Sequence, residues 1–319
     1  MKRCVIVIGM HRSGTSLAME LLSRLGVSTG IDLIPADSGN PHGYYENREI
    51  VRIHQRILEK MGADWSSLLP LPSAWEKIPG IVASRRRLKG TLQKELAENA
   101  EPWGFKDPHM ARFLPLWDGI FQELEIEPDF VLAVRHPAAV YPSLIQRAPR
   151  LDRPYVELMW LQHNLDAVRY AGGRIRAVIL YEAWFTHPLD QARRLCRSLG
   201  LPCPEDDQKL AALIGNCIDS RMNHHDENGR PGFALPLVSE VFELLLLASR
   251  KGEVPFSRLR EMDDVYQQAI TLLSPWAGEI GHPHSRARRA GLAMANVYIR
   301  WRHRYDRLRE FRRKLNHRA

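Results

Sequence analysis

Residues 4 to 26 read CVIVIGMHRSGTSLAMELLSRLG. Cys4 to Ile8 is a short, mostly β-branched apolar run that stops at Gly9, the pattern of a strand buried on both faces. From Thr15 the apolar residues Leu17, Met19, Leu21, Leu22 and Leu25 recur at helical intervals and end at Gly26. Between them, Gly9-Met10-His11-Arg12-Ser13-Gly14-Thr15-Ser16 has the glycine spacing of a phosphate-binding P-loop, G-x-x-x-x-G-K-[ST]. Thr15 stands where that pattern has lysine. In such a strand-loop-helix unit, backbone N–H groups and the helix N-terminus converge on an oxyanion. Gly9 and Gly14 permit the close approach, Ser13, Thr15 and Ser16 offer hydroxyls, and Arg12 can return a cation from another position in the loop. The competing reading is a tight strand-to-helix turn without a ligand.

Outward from this unit the alternation repeats. WGFKD (103–107), FVLAVR (130–135) and IRAVILY (175–181) read as strands separated by periodic helical segments, which predicts a parallel sheet covered by helices on both faces. The fold expected is therefore P-loop-like α/β. From about Pro236 the strands cease, and LVSEVFELLLLASRKG and DDVYQQAITLLSPWAG read as helices. A soft boundary near 235 divides a catalytic domain, 1–235, from a helical extension, 236–319. The last segment spaces Met294, Tyr298, Trp301, Tyr305, Leu308, Phe311 and Leu315 three or four apart on an arginine-rich background, a basic amphipathic helix.

With 319 residues the chain can bury a sizeable core, and 26% charged with 45% hydrophobic residues excludes disorder. No apolar run approaches the 18 or so residues of a membrane span. Met1-Lys2-Arg3 precede an apolar stretch too short for a signal peptide, and Cys4, Cys196, Cys203 and Cys217 form no C-x-x-C pair. Reduced thiols in a cytoplasmic protein are expected. The formal charge is +8, but His284 to the end carries twelve arginines and lysines against Asp306 and Glu310. The basicity belongs to the tail. Such a tail can dock on the catalytic domain, pair with a second copy in a homodimer, or lie on the anionic inner face of a membrane; nucleic acid is the least favoured partner.

A nucleoside-triphosphate enzyme needs Mg²⁺, usually through an aspartate ending another strand. Here FVLAVRHP ends its strand with Arg135. The site is built for an anion without a metal, and sulfuryl transfer, which develops less anionic charge, fits.

IGMHRSGTSL resembles the 5′-phosphosulfate loop of the sulfotransferases that use 3′-phosphoadenosine 5′-phosphosulfate (PAPS). VRHPAAVYPSL is similar to that family's 3′-phosphate motif, an arginine at a strand end and a serine eight residues on, here Arg135 and Ser143. GYYENREI, WGFKDPHMARFLPLW, LYEAWFTHP and IDSRMNHH follow in the family's order, so residues 3 to 225 resemble bacterial sulfotransferases acting on glycans or other small hydroxylated acceptors. The resemblance implies that His11, Arg12, Ser13, Gly14, Thr15, Ser16, Arg135 and Ser143 bind PAPS and its product adenosine 3′,5′-bisphosphate (PAP). No metal is required. Strand C-terminal ends share one edge of a doubly wound sheet, so both anion sites can face one crevice.

Transfer needs positive charge on the bridging oxygen and a base for the acceptor proton. Arg12 and Lys106 are the candidates for charge. For the base, the resemblance points to a glutamate after the first helix, here Glu46, with His42, Glu49, Asp107 and His109 as alternatives; His224 and His225 could line the acceptor crevice. Two rivals remain: a P-loop nucleotide kinase or NTPase, and a non-catalytic membrane-surface adaptor carrying a dead nucleotide fold.

Overall fold

The strands β1 (Lys2–Ile8), β2 (Trp103–Lys106), β3 (Ile126–Val134) and β4 (Ile175–Leu180) make one parallel sheet in the spatial order β2-β1-β3-β4 in the computed structural model, which describes residues 2–37, 40–68, 71–218 and 232–273. The expected parallel α/β class, helical toward its C-terminus, is the one observed. Each strand follows from an apolar run in the sequence, and β3 extends four residues further toward the N-terminus than that run. The tail from 284 and the histidines His224 and His225 lie outside the described residues.

Alternation along β1 divides the core in two. Cys4, Ile6 and Ile8 face one side of the sheet, where they pack with Trp103, Phe105, Trp117 and Trp160; Val5 and Val7 face the other, with Leu17, Leu21, Ile179 and Trp184. Helix α1 (Thr15–Arg24), with α7 (Ala183–Thr186), α8 (Pro188–Leu199) and α9 (Asp207–Gly215), supplies the second layer. The first is supplied by α2 (Arg48–Lys60), α3 (Pro79–Glu98), α4 (Met110–Glu123), α6 (Arg153–Ala171), α10 (Pro236–Lys251) and α11 (Phe256–Leu273). Side chains this large contribute roughly 1.5–3 kcal/mol each on burial, so both layers are strongly tied to the sheet. Helices α10 and α11 share the core of the sheet through Leu237, Val241, Leu245, Tyr266 and Ile270, and Arg169 of α6 clamps Asp263 of α11 with two hydrogen bonds.

Strand order reverses at β1, which has β2 on one side and β3 on the other. A crevice opens at such a switch point beyond the strands' carboxyl ends. The loops leaving β1, β2 and β3, the last leading into α5 (Pro137–Ile145), meet there.

Candidate active site

Gly9 lies at φ 151° and Gly14 at φ 82°, backbone regions that side chains rarely enter. Space forbids a side chain as well. A Cβ at Gly9 would stand 2.4 Å from the Ala133 carbonyl oxygen of β3, and one at Gly14 would stand 2.3 Å from Cδ2 of Tyr181, just past β4. The loop is thus pressed onto the sheet edge, with its open side toward the crevice. Arg12 itself takes a left-handed turn, φ 66°. Thr15 opens α1, and the hydroxyl of Ser13 is buried with no hydrogen-bond partner among the described residues. A buried donor left in that state calls for a ligand or water.

The two anion sites meet. Arg135 donates from Nη1 to the Arg12 carbonyl at 3.2 Å, while Arg12 donates from Nε to Ser143 Oγ at 2.8 Å. The guanidinium of Arg135 lies over the Tyr181 ring, 4.3 Å from its centroid. Helix α5 sets the eight-residue spacing of Arg135 and Ser143; Pro142 falls inside it, and Ser143 still reaches the loop. Burial, then Arg147 and Arg135, depress the Arg12 guanidinium pKa, the signature of cations gathered around a place meant for negative charge.

Lys106, the last residue of β2, restores the ammonium that the loop lacks. Its Nζ lies 3.3 Å from Thr15 Oγ1 and donates to Glu46 Oε1 at 2.6 Å, with only 3% of the side chain exposed. The neighbour in sequence, Asp107, is not its partner. Glu46 immediately precedes Asn47, whose side chain caps α2 by accepting from the Glu49 and Ile50 N–H groups. Ser16 turns outward to the segment before Glu46: its hydroxyl accepts from Asn40 Nδ2 at 3.1 Å and donates to the Tyr44 carbonyl at 3.3 Å.

Beside the loop is a cavity of about 510 Å³, within the usual range for small-molecule pockets. Its floor is His11, Arg12, Asp107 and His109; one wall is Val51, Gln55, Leu58 and Glu59 of α2; Trp65 and Arg147 close the sides. Trp65 stands edge-on to His11, ring centroids 5.4 Å apart. Its segment is pinned from behind, because Tyr155 Oη donates to the Ser66 carbonyl at 2.9 Å and Arg112 to that of Ser67 at 2.6 Å.

Three imidazoles cluster under the cavity. The ring of His11 lies 5.0 Å from that of His109 and 5.8 Å from that of His163. Burial, then the other histidines, holds the His11 pKa well below the ordinary range; burial, His109 and Arg112 bring His163 to about 3. Among the described residues His109 alone of the three forms an ion pair with a carboxylate, with Nδ1 3.0 Å from Asp107 Oδ1. Burial would raise the Asp107 carboxyl, yet His54 and His109 outweigh it and keep it well below its usual value. Among the described residues no group of three or more His, Cys, Asp or Glu is arranged to hold a metal ion.

Of the expected site residues, His11 to Ser16, Lys106, Arg135 and Ser143 meet at the loop and Glu46, Asp107 and His109 line the cavity, whereas His42 turns to Glu20 at 3.3 Å, Glu49 pairs with Arg52, and His224 and His225 lie outside the described residues. Sequence reasoning assigned no role to Trp65, Arg147, His54 or His163, which carry no local motif, nor to Tyr181 within LYEAWFTHP. No family model matches the chain, and no curated protein matches it at a significant level. Two solved structures align with most of it. The sulfotransferase domain from the Synechococcus PCC 7002 olefin synthase is 18% identical over 82% of this chain and 94% of its own, with a TM-score of 0.41. The sulfotransferase domain from the curacin biosynthetic pathway is 14% identical over 83% and 98%, with the same score. Likeness at that level names no family. The function has to be argued from the site.

Proposed function

We propose that the protein is a PAPS-dependent sulfotransferase that transfers a sulfuryl group to the hydroxyl of an acceptor held in the 510 Å³ cavity. One observation carries this reading: the glycine loop, Lys106, Arg12, Arg135 and Ser143 converge on one place, and that place adjoins a cavity floored by His11 and His109. The residues fit a sulfonucleotide. Ser13 has a buried hydroxyl to satisfy, a side chain at Gly9 or Gly14 would clash with Ala133 or Tyr181, and the strand end that carries Mg²⁺-binding aspartate in NTPases carries Arg135.

When bound, PAPS would supply the sulfuryl group, the acceptor oxygen bonding to sulfur as the 5′-phosphate oxygen leaves with the electron pair. Lys106 and Arg12 would stabilise the charge gathering there, and Arg135 with Ser143 would hold the 3′-phosphate. The acceptor hydroxyl gives its proton to a group at the cavity. Glu46, the expected base, has Oε1 engaged by Lys106, whereas the Nε2 atom of His109 is buried and has no hydrogen-bond partner among the described residues. His109 is the better proton acceptor, and Glu46 orients Lys106. Val51, Leu58 and Trp65 beside Gln55 and Glu59 suit a glycan or another compact hydroxylated molecule with an apolar face. A lipid-linked acceptor would also engage the basic tail, 284–319, at a membrane surface.

Calorimetric titration with PAP, run against ATP plus Mg²⁺, tests the reading. Micromolar PAP binding without metal, weakened about tenfold or more in Arg135→Ala by loss of a charge-assisted contact, is the expected result. Preference for Mg-ATP would move the assignment to a kinase, and no nucleotide binding would move it to an adaptor.

A further inference from the structure

Asp107 is approached by two histidines from different elements. On one side His109 presents Nδ1 at 3.0 Å from Oδ1, and its backbone N–H donates to the same oxygen at 2.6 Å. On the other, Nδ1 of His54, on α2, lies 3.2 Å from Oδ2, a close contact that falls short of hydrogen-bond geometry, and neither atom has a hydrogen-bond partner among the described residues. His54 is wholly buried and its Nε2 accepts from the indole N–H of Trp117, on α4, at 2.9 Å. Indole N–H is only a donor, so Nε2 of His54 carries no proton and its Nδ1 must. That proton faces the carboxylate. Asp107, an acceptor only, then requires a proton on Nδ1 of His109 as well, and Nε2 of His109 is left bare.

We propose that His54 is a positioning residue: with Trp117 behind it, it completes a chain Trp117–His54–Asp107–His109 that holds His109 in its Nδ1–H tautomer with the Nε2 lone pair available. The chain crosses from α4 through α2 to the end of β2, so it also fixes the cavity wall of α2 relative to the loop. This rests on His109 as the proton acceptor. His11 also has a buried Nε2 without a hydrogen-bond partner among the described residues, but it is His109 whose Nδ1 is braced by a carboxylate, at 3.0 Å from Asp107 Oδ1.

The test uses the full chain with ¹⁵N-labelled histidine. Long-range ¹H–¹⁵N spectra report the tautomer without any ligand, and steady-state kinetics report turnover. Nδ1-protonated patterns are expected at both His54 and His109. Asp107→Asn should release His109 to the other tautomer and lower kcat steeply, toward the roughly ten-thousandfold that a wrong tautomer costs a triad histidine. His54→Phe should lower kcat about tenfold with PAP affinity unchanged, and His54→Gln, which keeps a donor and an acceptor, should recover most of the loss. Should His54→Phe fail to fold, Trp117→Phe removes the indole N–H together with part of a buried ring, and should mix the tautomers of His54. A His109 protonated on Nε2 in the wild type, or wild-type turnover and unshifted His109 nitrogens in His54→Phe, overturns the proposal. A fixed Nδ1–H tautomer that relaxes in these variants, in a protein that neither binds PAP nor sulfates, would keep the chain of contacts and sink the transfer reading instead.

Discussion

Glu46 and His109 stand on opposite sides of Lys106 in sequence and touch different partners, so their variants should separate. In Glu46→Gln the charge on Lys106 loses its 2.6 Å partner but PAP binding persists, and turnover should drop moderately. In His109→Asn the proton has no bare imidazole nitrogen to reach, and turnover should fall about a hundredfold or more, the usual scale of general-base loss. Initial-rate kinetics on both variants decides between them; the larger loss in Glu46→Gln would return the base to the carboxylate. Legibility at this scale followed chain distance. The loop hydroxyls, Arg135 and Ser143 sit in short motifs and could be chosen from them. Lys106 could be named, but not its partner, since Glu46 lies sixty positions away and the two meet only because β2 is laid beside β1. His54 reads in the sequence as one polar residue within an amphipathic helix. Its chemistry exists only through Trp117, on another helix.

Among the elements, α2 governs the acceptor side. Asn47 caps it through Oδ1, accepting from Glu49 and Ile50 N–H at 3.0 Å each, and donates from Nδ2 to Glu95 Oε1 of α3 at 2.6 Å. Asn47→Ala removes both functions, so a loss of about 1–2 kcal/mol is expected from the cap, measurable by urea denaturation. Because Val51, Gln55, Leu58 and Glu59 ride on the same helix, acceptor KM should rise more than PAP affinity falls. Equal changes in both would mean that α2 does not form the acceptor wall. The strands were readable as elements because β-branched runs bounded by glycine or charge have few other uses. The 64–68 segment was not, since Trp65 sits in irregular chain held by Tyr155 and Arg112 from helices far along the sequence.

Across the whole molecule, acid should be the weak side. His163, at about 3, and His11, also lowered, bind protons less readily folded than the ordinary imidazole near 6.5. Depressed folded pKa values contribute stability above the unfolded value and lose it as pH falls, so the urea midpoint should drop from about pH 6.5 toward pH 4. Asp166 acts oppositely. Burial raises it to about 6, so its folded form prefers the proton and its contribution weakens as pH rises from about 4 to 6. His163→Gln should flatten the acid limb, and Asp166→Asn should steepen it; a midpoint insensitive to pH in the wild type would show that these groups titrate alike folded and unfolded. The placement of Lys106 has a consequence of another kind. Lys106 is paired across the sheet with Val7, two residues before Gly9. An ammonium carried by the loop itself would travel whenever the loop changed shape around a ligand. Borne on a strand, it stays put, so the loop can reshape around a donor arriving or a product leaving while the electrostatic landmark keeps its coordinates.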